Sequence, residues 1–99
     1  MEHTITLRTN LDEPRIPSDL ISAYQELGIV PPIGAYIVIP YCGKFIDLEV
    51  VSIRQELKKG LSSRVSFNFM HTTVELHIPR CLGMSIRDWE DRLRRIRGV

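Results

Sequence analysis

Cys42, Cys81, His3, His71 and His77 are the side chains of this chain best suited to metal binding or nucleophilic attack. A structural zinc site usually announces itself by closely spaced pairs, C-x2–4-C or H-x3–5-H, because its ligands must converge on one ion. His71 and His77 meet the histidine spacing, but the two cysteines stand alone, and the histidines fall in different local elements. Unrelated surface histidines are therefore expected, with no metal and no other cofactor. Tyr41-Cys42-Gly43 reads as a turn that exposes the thiol. A cysteine nucleophile also needs a base or cationic partner to hold the thiolate, and no spacing here supplies one. GAYIVIP and CGKFID lack the repeated glycines of a phosphate-cradling loop. The carboxylate pairs Asp12-Glu13 and Glu90-Asp91 fall in a loop and on a helix with no concave setting. A non-enzymatic protein is expected.

Cationic residues offer the other chemistry. Arg92, Arg94, Arg95 and Arg97 crowd the end of the C-terminal segment, where guanidinium groups can grip phosphates. Asp88, Glu90 and Asp91 lie about one turn earlier, and late arginines also complement a helix dipole. The formal net charge is +1, so any basic surface must be local.

These side chains need elements to position them. At 99 residues, 43% hydrophobic and 25% charged, the chain fits one domain over 1–99 with an unstapled core. No apolar run approaches the roughly 18 residues of a membrane span, and MEHTITLRTN does not resemble a secretory signal. A reduced, cytoplasmic setting is expected; only an oxidising compartment would favour a Cys42–Cys81 bridge. HTITLRT alternates Ile5 and Leu7 against Thr4, Thr6 and Arg8, which predicts a short strand. NLDEPRIP reads as a loop. Ser18 as N-cap, an apolar set Leu20, Ile21, Tyr24 and Leu27, and Gly28 as stop predict a helix over 18–27. AYIVIP is apolar on both faces and suits a doubly covered strand.

KFIDLEVVSIRQEL alternates until Val50, where the apolar phase flips; a β-bulge near Val50–Val51 accounts for that flip. A helix over 48–57 is the competing reading. MSIRDWEDRLRRIRGV predicts a helix over 85–97, with Ser85 as N-cap, an apolar stripe of Ile86, Trp89, Leu93 and Ile96, and Gly98 as stop.

Two turns set the register. KKG, with Gly60 left-handed, would close a three-residue hairpin loop and face Leu57 with Leu61, Ile53 with Val65 and Val51 with Phe67. A second loop at Met70–His71 would face Phe67 with Val74 and Val65 with Leu76. Together they align Arg54, Arg64 and His77 in one row across three strands, above a row of Ser52, Ser66 and Glu75. The expected fold is α+β: a small curved antiparallel sheet of about five strands, a meander curling toward a barrel, with two helices. Its expected role is to bind another protein, or another copy of itself, through a strand edge or an apolar patch at Tyr41 and Phe45. The alternative is nucleic-acid binding through Arg54, Arg64 and His77 with the helix arginines.

Overall fold

The computed structural model describes residues 2–62 and 64–98. Strand β1 (Glu2–Thr9) leads through a loop into α1 (Ser18–Leu27), then come β2 (Tyr36–Tyr41), β3 (Lys44–Ser62), β4 (Val65–His77), a 3-10 turn at Arg80–Leu82 and α2 (Ile86–Arg97). The fold is α+β, with one curved sheet in the order β1-β4-β3-β2. Four strands form it rather than five, because the two expected hairpins are a single long one. β4 lies antiparallel to β3, while β1 returns beside β4 in parallel, so the sheet is mixed. β3 continues as a strand throughout 48–57, and no helix interrupts it.

Neither KKG nor Met70–His71 turns the chain. Gly60 stays extended opposite Phe67, whose ring lies over the glycine where a Cβ would otherwise stand. That arrangement lets an aromatic cover a glycine inside a strand. The chain reverses instead after Ser62, which pairs with Val65, and Arg64 takes a positive φ of 66°. Ser63 lies outside the described residues. The expected bulge is present: the β3–β4 register shifts between Val50 and Ser52. It brings Val50 before the shift and Ile53 after it onto the concave face.

That concave face holds the core. Ile5 and Leu7 from β1, Ile37 and Ile39 from β2, Ile46, Leu48 and Val50 from β3, and Val74 and Leu76 from β4 are all buried. Trp89 and Leu93 of α2 join them, the middle of the expected stripe, whereas Ile86 at its start is exposed. Leu20, Ile21 and Tyr24 of α1 pack at the margin, whereas Leu27 is exposed. β2 is an edge strand covered on one face only: Ile37 and Ile39 point inward, and Tyr36 and Val38 outward.

The helix ends follow local chemistry. Ser85 accepts a hydrogen bond from the Asp88 N–H at 3.2 Å, and Gly98 closes α2 in the left-handed region, where only glycine is unstrained. Gly28 does the same for α1. Pro17, not Ser18, occupies the N-cap of α1 and supplies no side-chain cap.

Two carboxylates fasten the periphery. Glu49, almost fully buried, accepts from the Arg80 backbone N–H and Nε, each at 2.8 Å. Glu13 accepts from the Tyr41 hydroxyl at 2.5 Å and from Arg97 at 2.9 Å. The bonds from Arg80 hold Glu49 below the usual carboxylate range, and the bond from Tyr41 does the same to Glu13. A depressed folded pKa means the folded state binds fewer protons than the unfolded chain. This stabilisation is therefore complete above the ordinary carboxylate value of 4.5 and fades as pH falls through the lowered values. Urea midpoints between pH 7 and pH 3 should fall with acidification, and less steeply in Glu49→Gln, which has no proton to gain.

Candidate association edge

The 52 × 23 × 21 Å dimensions of the chain come from its central hairpin. Among the described residues, β1 covers β4 over Phe69–Leu76 and β2 covers β3 over Lys44–Glu49. β3 therefore has β4 alone beside it from Ser52 onward, and beyond Lys58 and Phe69 the two strands run on together as a two-stranded arm. Leu57 at the base of this arm and Leu61 and Val65 on it are 61%, 77% and 65% exposed. The expected pairings of Leu57 with Leu61 and of Val65 with Ile53 do not form, because the hairpin continues past both expected turns.

Direct pairing assigns the faces. Leu57, Lys59 and Leu61 share the inner face with Met70, Asn68 and Ser66. Lys58 and Gly60 share the outer face with Phe69 and Phe67. The Phe67 and Phe69 rings stand 5.8 Å apart, forming a short aromatic stripe toward the tip. Apolar side chains thus line both faces of a ribbon that no second layer covers among the described residues. A lone two-stranded ribbon is marginal in water.

The sheet treats its edges differently. On β1, the Gln25 side chain of α1 accepts from the Ile5 N–H and donates to the His3 carbonyl, occupying the backbone groups a new strand would use. On β2, the two-residue turn at Cys42-Gly43 (φ 48° and 79°) makes Tyr41 and Lys44 a hydrogen-bonded pair. Alternation then points the backbone of Tyr36, Val38 and Pro40 outward, and Pro40 lacks an N–H to offer. β3 from Ser52 to Ser62 has neither protection. Its outward groups are donors and acceptors without a neighbouring strand among the described residues, the arrangement that templates association.

The expected basic row does not form. Arg54 pairs with Thr73, His77 with Glu49, and Arg64 sits at the arm's tip. Ser52 does pair with Glu75, but Ser66 pairs with Leu61. Around the row's intended place, Arg54 bridges Glu56 at 3.0 Å, Arg8 approaches Glu75 at 3.7 Å and His77 approaches Glu75 at 3.6 Å. These are exposed pairs of small energetic weight on a solvated face.

The arginines of α2 are also engaged. Arg94 bonds Asp91, Arg97 bonds Glu13, and Arg92 lies 5.2 Å from the Trp89 ring centroid. Among the described residues, Arg95 is the one of the four without such a contact. Arg92 and Lys44 line one groove, so the helix arginines stand near the start of β3 while Arg64 stands past its far end.

Tyr41 and Phe45 do not make one patch. Tyr41 is half-buried on the concave side and tied to Glu13, whereas Phe45 is exposed opposite Pro40. Phe45 instead borders the groove of about 450 Å³ with Tyr36, Cys81, Leu82, Trp89 and Arg92. The Tyr36 hydroxyl donates to Cys81 Sγ at 3.3 Å there. The Trp89 Nε1–H, fully buried, has no acceptor among the described residues.

The soft ligands are dispersed. His3 bonds Thr72 at 2.7 Å, His71 bonds Thr4 at 2.7 Å, and Cys42 and Cys81 are exposed free thiols. No group of three or more His, Cys, Asp or Glu side chains converges among the described residues. No described helix is long and apolar enough to cross a membrane. No protein-family model, no curated protein and no solved structure matches this chain.

Proposed function

We propose that this chain is a small non-enzymatic protein-binding module that self-associates through the arm of β3 and β4. The observation that carries this reading is the arm's unpaired β3 edge, flanked by exposed Leu57, Leu61 and Val65. Strand addition at an open edge supplies directional hydrogen bonds, and the flanking apolar side chains supply burial. Self-association is favoured because the edge, Leu57 and Leu61, and charges of both signs (Arg54, Glu56, Lys58 and Lys59) lie on one element, β3.

Sedimentation analysis tests the reading. The wild-type chain should sediment as an oligomer whose fraction rises with concentration, and Leu61→Lys should shift it toward monomer with an unchanged circular-dichroism spectrum. A wild-type chain that stays monomeric to millimolar concentration would contradict it.

The nucleic-acid reading draws less support, since Arg54, Arg64 and His77 are separated and most α2 arginines are occupied within the chain. A generic DNA duplex at about 50 mM salt, where counterion release still favours binding, should show no salt-dependent association with the protein.

A further inference from the structure

Residues 52–62 read Ser-Ile-Arg-Gln-Glu-Leu-Lys-Lys-Gly-Leu-Ser. Folded back on itself about Leu57, this stretch matches Ser52 with Ser62, Ile53 with Leu61, Arg54 with Gly60, Gln55 with Lys59 and Glu56 with Lys58. We propose that two copies of this chain pair antiparallel along their open β3 edges, with the twofold axis passing through Leu57. The inference rests on the arm being the association element and adds its partner surface, symmetry and register.

Backbone parity supports that register. Ser62 and Val65 flank a two-residue loop and so form a hydrogen-bonded pair. Counting back along the regular ladder, the even-numbered residues 52–62 direct their backbone groups at β4. Ile53, Gln55, Leu57, Lys59 and Leu61 direct theirs at the open edge. A twofold axis through Leu57 sets these five against the same five of the second copy, so every outward donor meets an outward acceptor. An axis lying between two residues would pair outward groups with inward ones and fails.

Side chains choose among the registers that remain. With the axis at Leu57, Ile53, Leu57 and Leu61 of one copy meet Leu61, Leu57 and Ile53 of the other on the inner face. On the outer face Glu56 meets Lys58 twice, once in each half. Arg54 comes beside the second copy's Gly60, where the Phe67 ring offers an aromatic surface to the guanidinium. Moving the axis to Glu56 sets Glu56 on Glu56 and Arg54 on Lys58. Moving it to Lys58 sets Lys58 on Lys58 and Leu57 on Lys59. Both alternatives oppose like charges, which is unfavourable across strands.

The available length fits as well. Val50 is occupied on this edge: the Gly34 N–H donates to its carbonyl at 2.8 Å, and its own N–H donates to the Ala35 carbonyl at 2.9 Å. The second copy's β3 would end at Ser62 beside Ser52, just past that point, and its chain then turns away toward β4. The resulting interface is isologous, so it closes as a dimer and does not propagate.

Charge exchange between separate chains tests the register. Glu56→Lys alone opposes lysines twice, and Lys58→Glu alone opposes glutamates twice. Each should raise the dimer dissociation constant about tenfold or more in sedimentation equilibrium, because the altered pair occurs in both halves. An equimolar mixture of the two variants restores both opposite-charge pairs and should return to wild-type dimer strength. The double variant Glu56→Lys/Lys58→Glu should do so alone. If Leu61→Lys disrupts association while the mixture gives no recovery, the register is overturned and the arm remains the contact element. If neither Leu61→Lys nor the charge variants alter association, both readings fall together.

Discussion

Leu76→Ala is expected to lower the unfolding free energy by about 2–5 kcal/mol, the range for removing a fully buried leucine from a packed core. Leu76 has no exposed surface and sits on β4 between Val50 of β3 and Thr9 of β1, so neighbours on both sides fix the cavity's walls. Domains of this kind hold roughly 5–15 kcal/mol in total, and such a loss would bring the chain close to unfolding at body temperature. Leu61→Ala removes the same atoms from the arm and should change monomer stability by no more than about 0.5 kcal/mol. Urea denaturation at protein concentrations below the association range measures both. A comparable loss in the two variants would show that the arm packs against its own domain.

Lys59→Pro is expected to weaken dimerisation about thirtyfold or more while leaving the monomer folded. The Lys59 N–H points to the open edge, so proline deletes a donor that the monomer does not use. Twofold symmetry removes that donor twice, at about 1 kcal/mol each, and the proline ring adds a steric obstacle. Lys58→Pro provides the contrast. The Lys58 N–H faces Phe69 on β4, and its loss should destabilise the hairpin itself. Sedimentation equilibrium and thermal melts of the two variants separate association from folding. Equal behaviour of the two would mean that the parity along β3 is otherwise.

The alternation of Ile5 and Leu7, the bulge at Val50–Val51 and the stripe of Trp89 and Leu93 were legible because each reports burial against one core. The arm was not, for the same reason. On β4 the apolar residues switch from the outer face (Val65, Phe67, Phe69) to the inner one (Val74, Leu76) near Met70 and His71. In a chain that buries one face only, such a switch reads as a turn. Here β4 continues, and the switch marks where the domain's own core ends. KKG misled in a related way: Gly60 resembles a left-handed turn residue, but Phe67 across the ladder fills the space above it. The true reversal at Ser62–Val65 carries no Asn-Gly or Asp-Gly signal.

The expected row of Arg54, Arg64 and His77 depends on both turns at once, and the chain makes neither. Tyr41 and Phe45 lie close in sequence, but the hairpin puts them on opposite faces. One signal for the edge was present in the sequence throughout: the reversed symmetry of apolar and charged residues about Leu57. It gains meaning once β3 is known to run straight through it.

Residue-resolved amide hydrogen exchange across a range of protein concentrations tests the central claim most directly. In the monomer, the amides of Arg54, Glu56, Lys58 and Gly60 bond β4, while those of Ile53, Gln55, Leu57, Lys59 and Leu61 face water. Pairing along the β3 edge predicts that this second set becomes protected as concentration rises, in step with the dimer fraction. Amides at these five positions that exchange freely even where the chain is fully associated would contradict it.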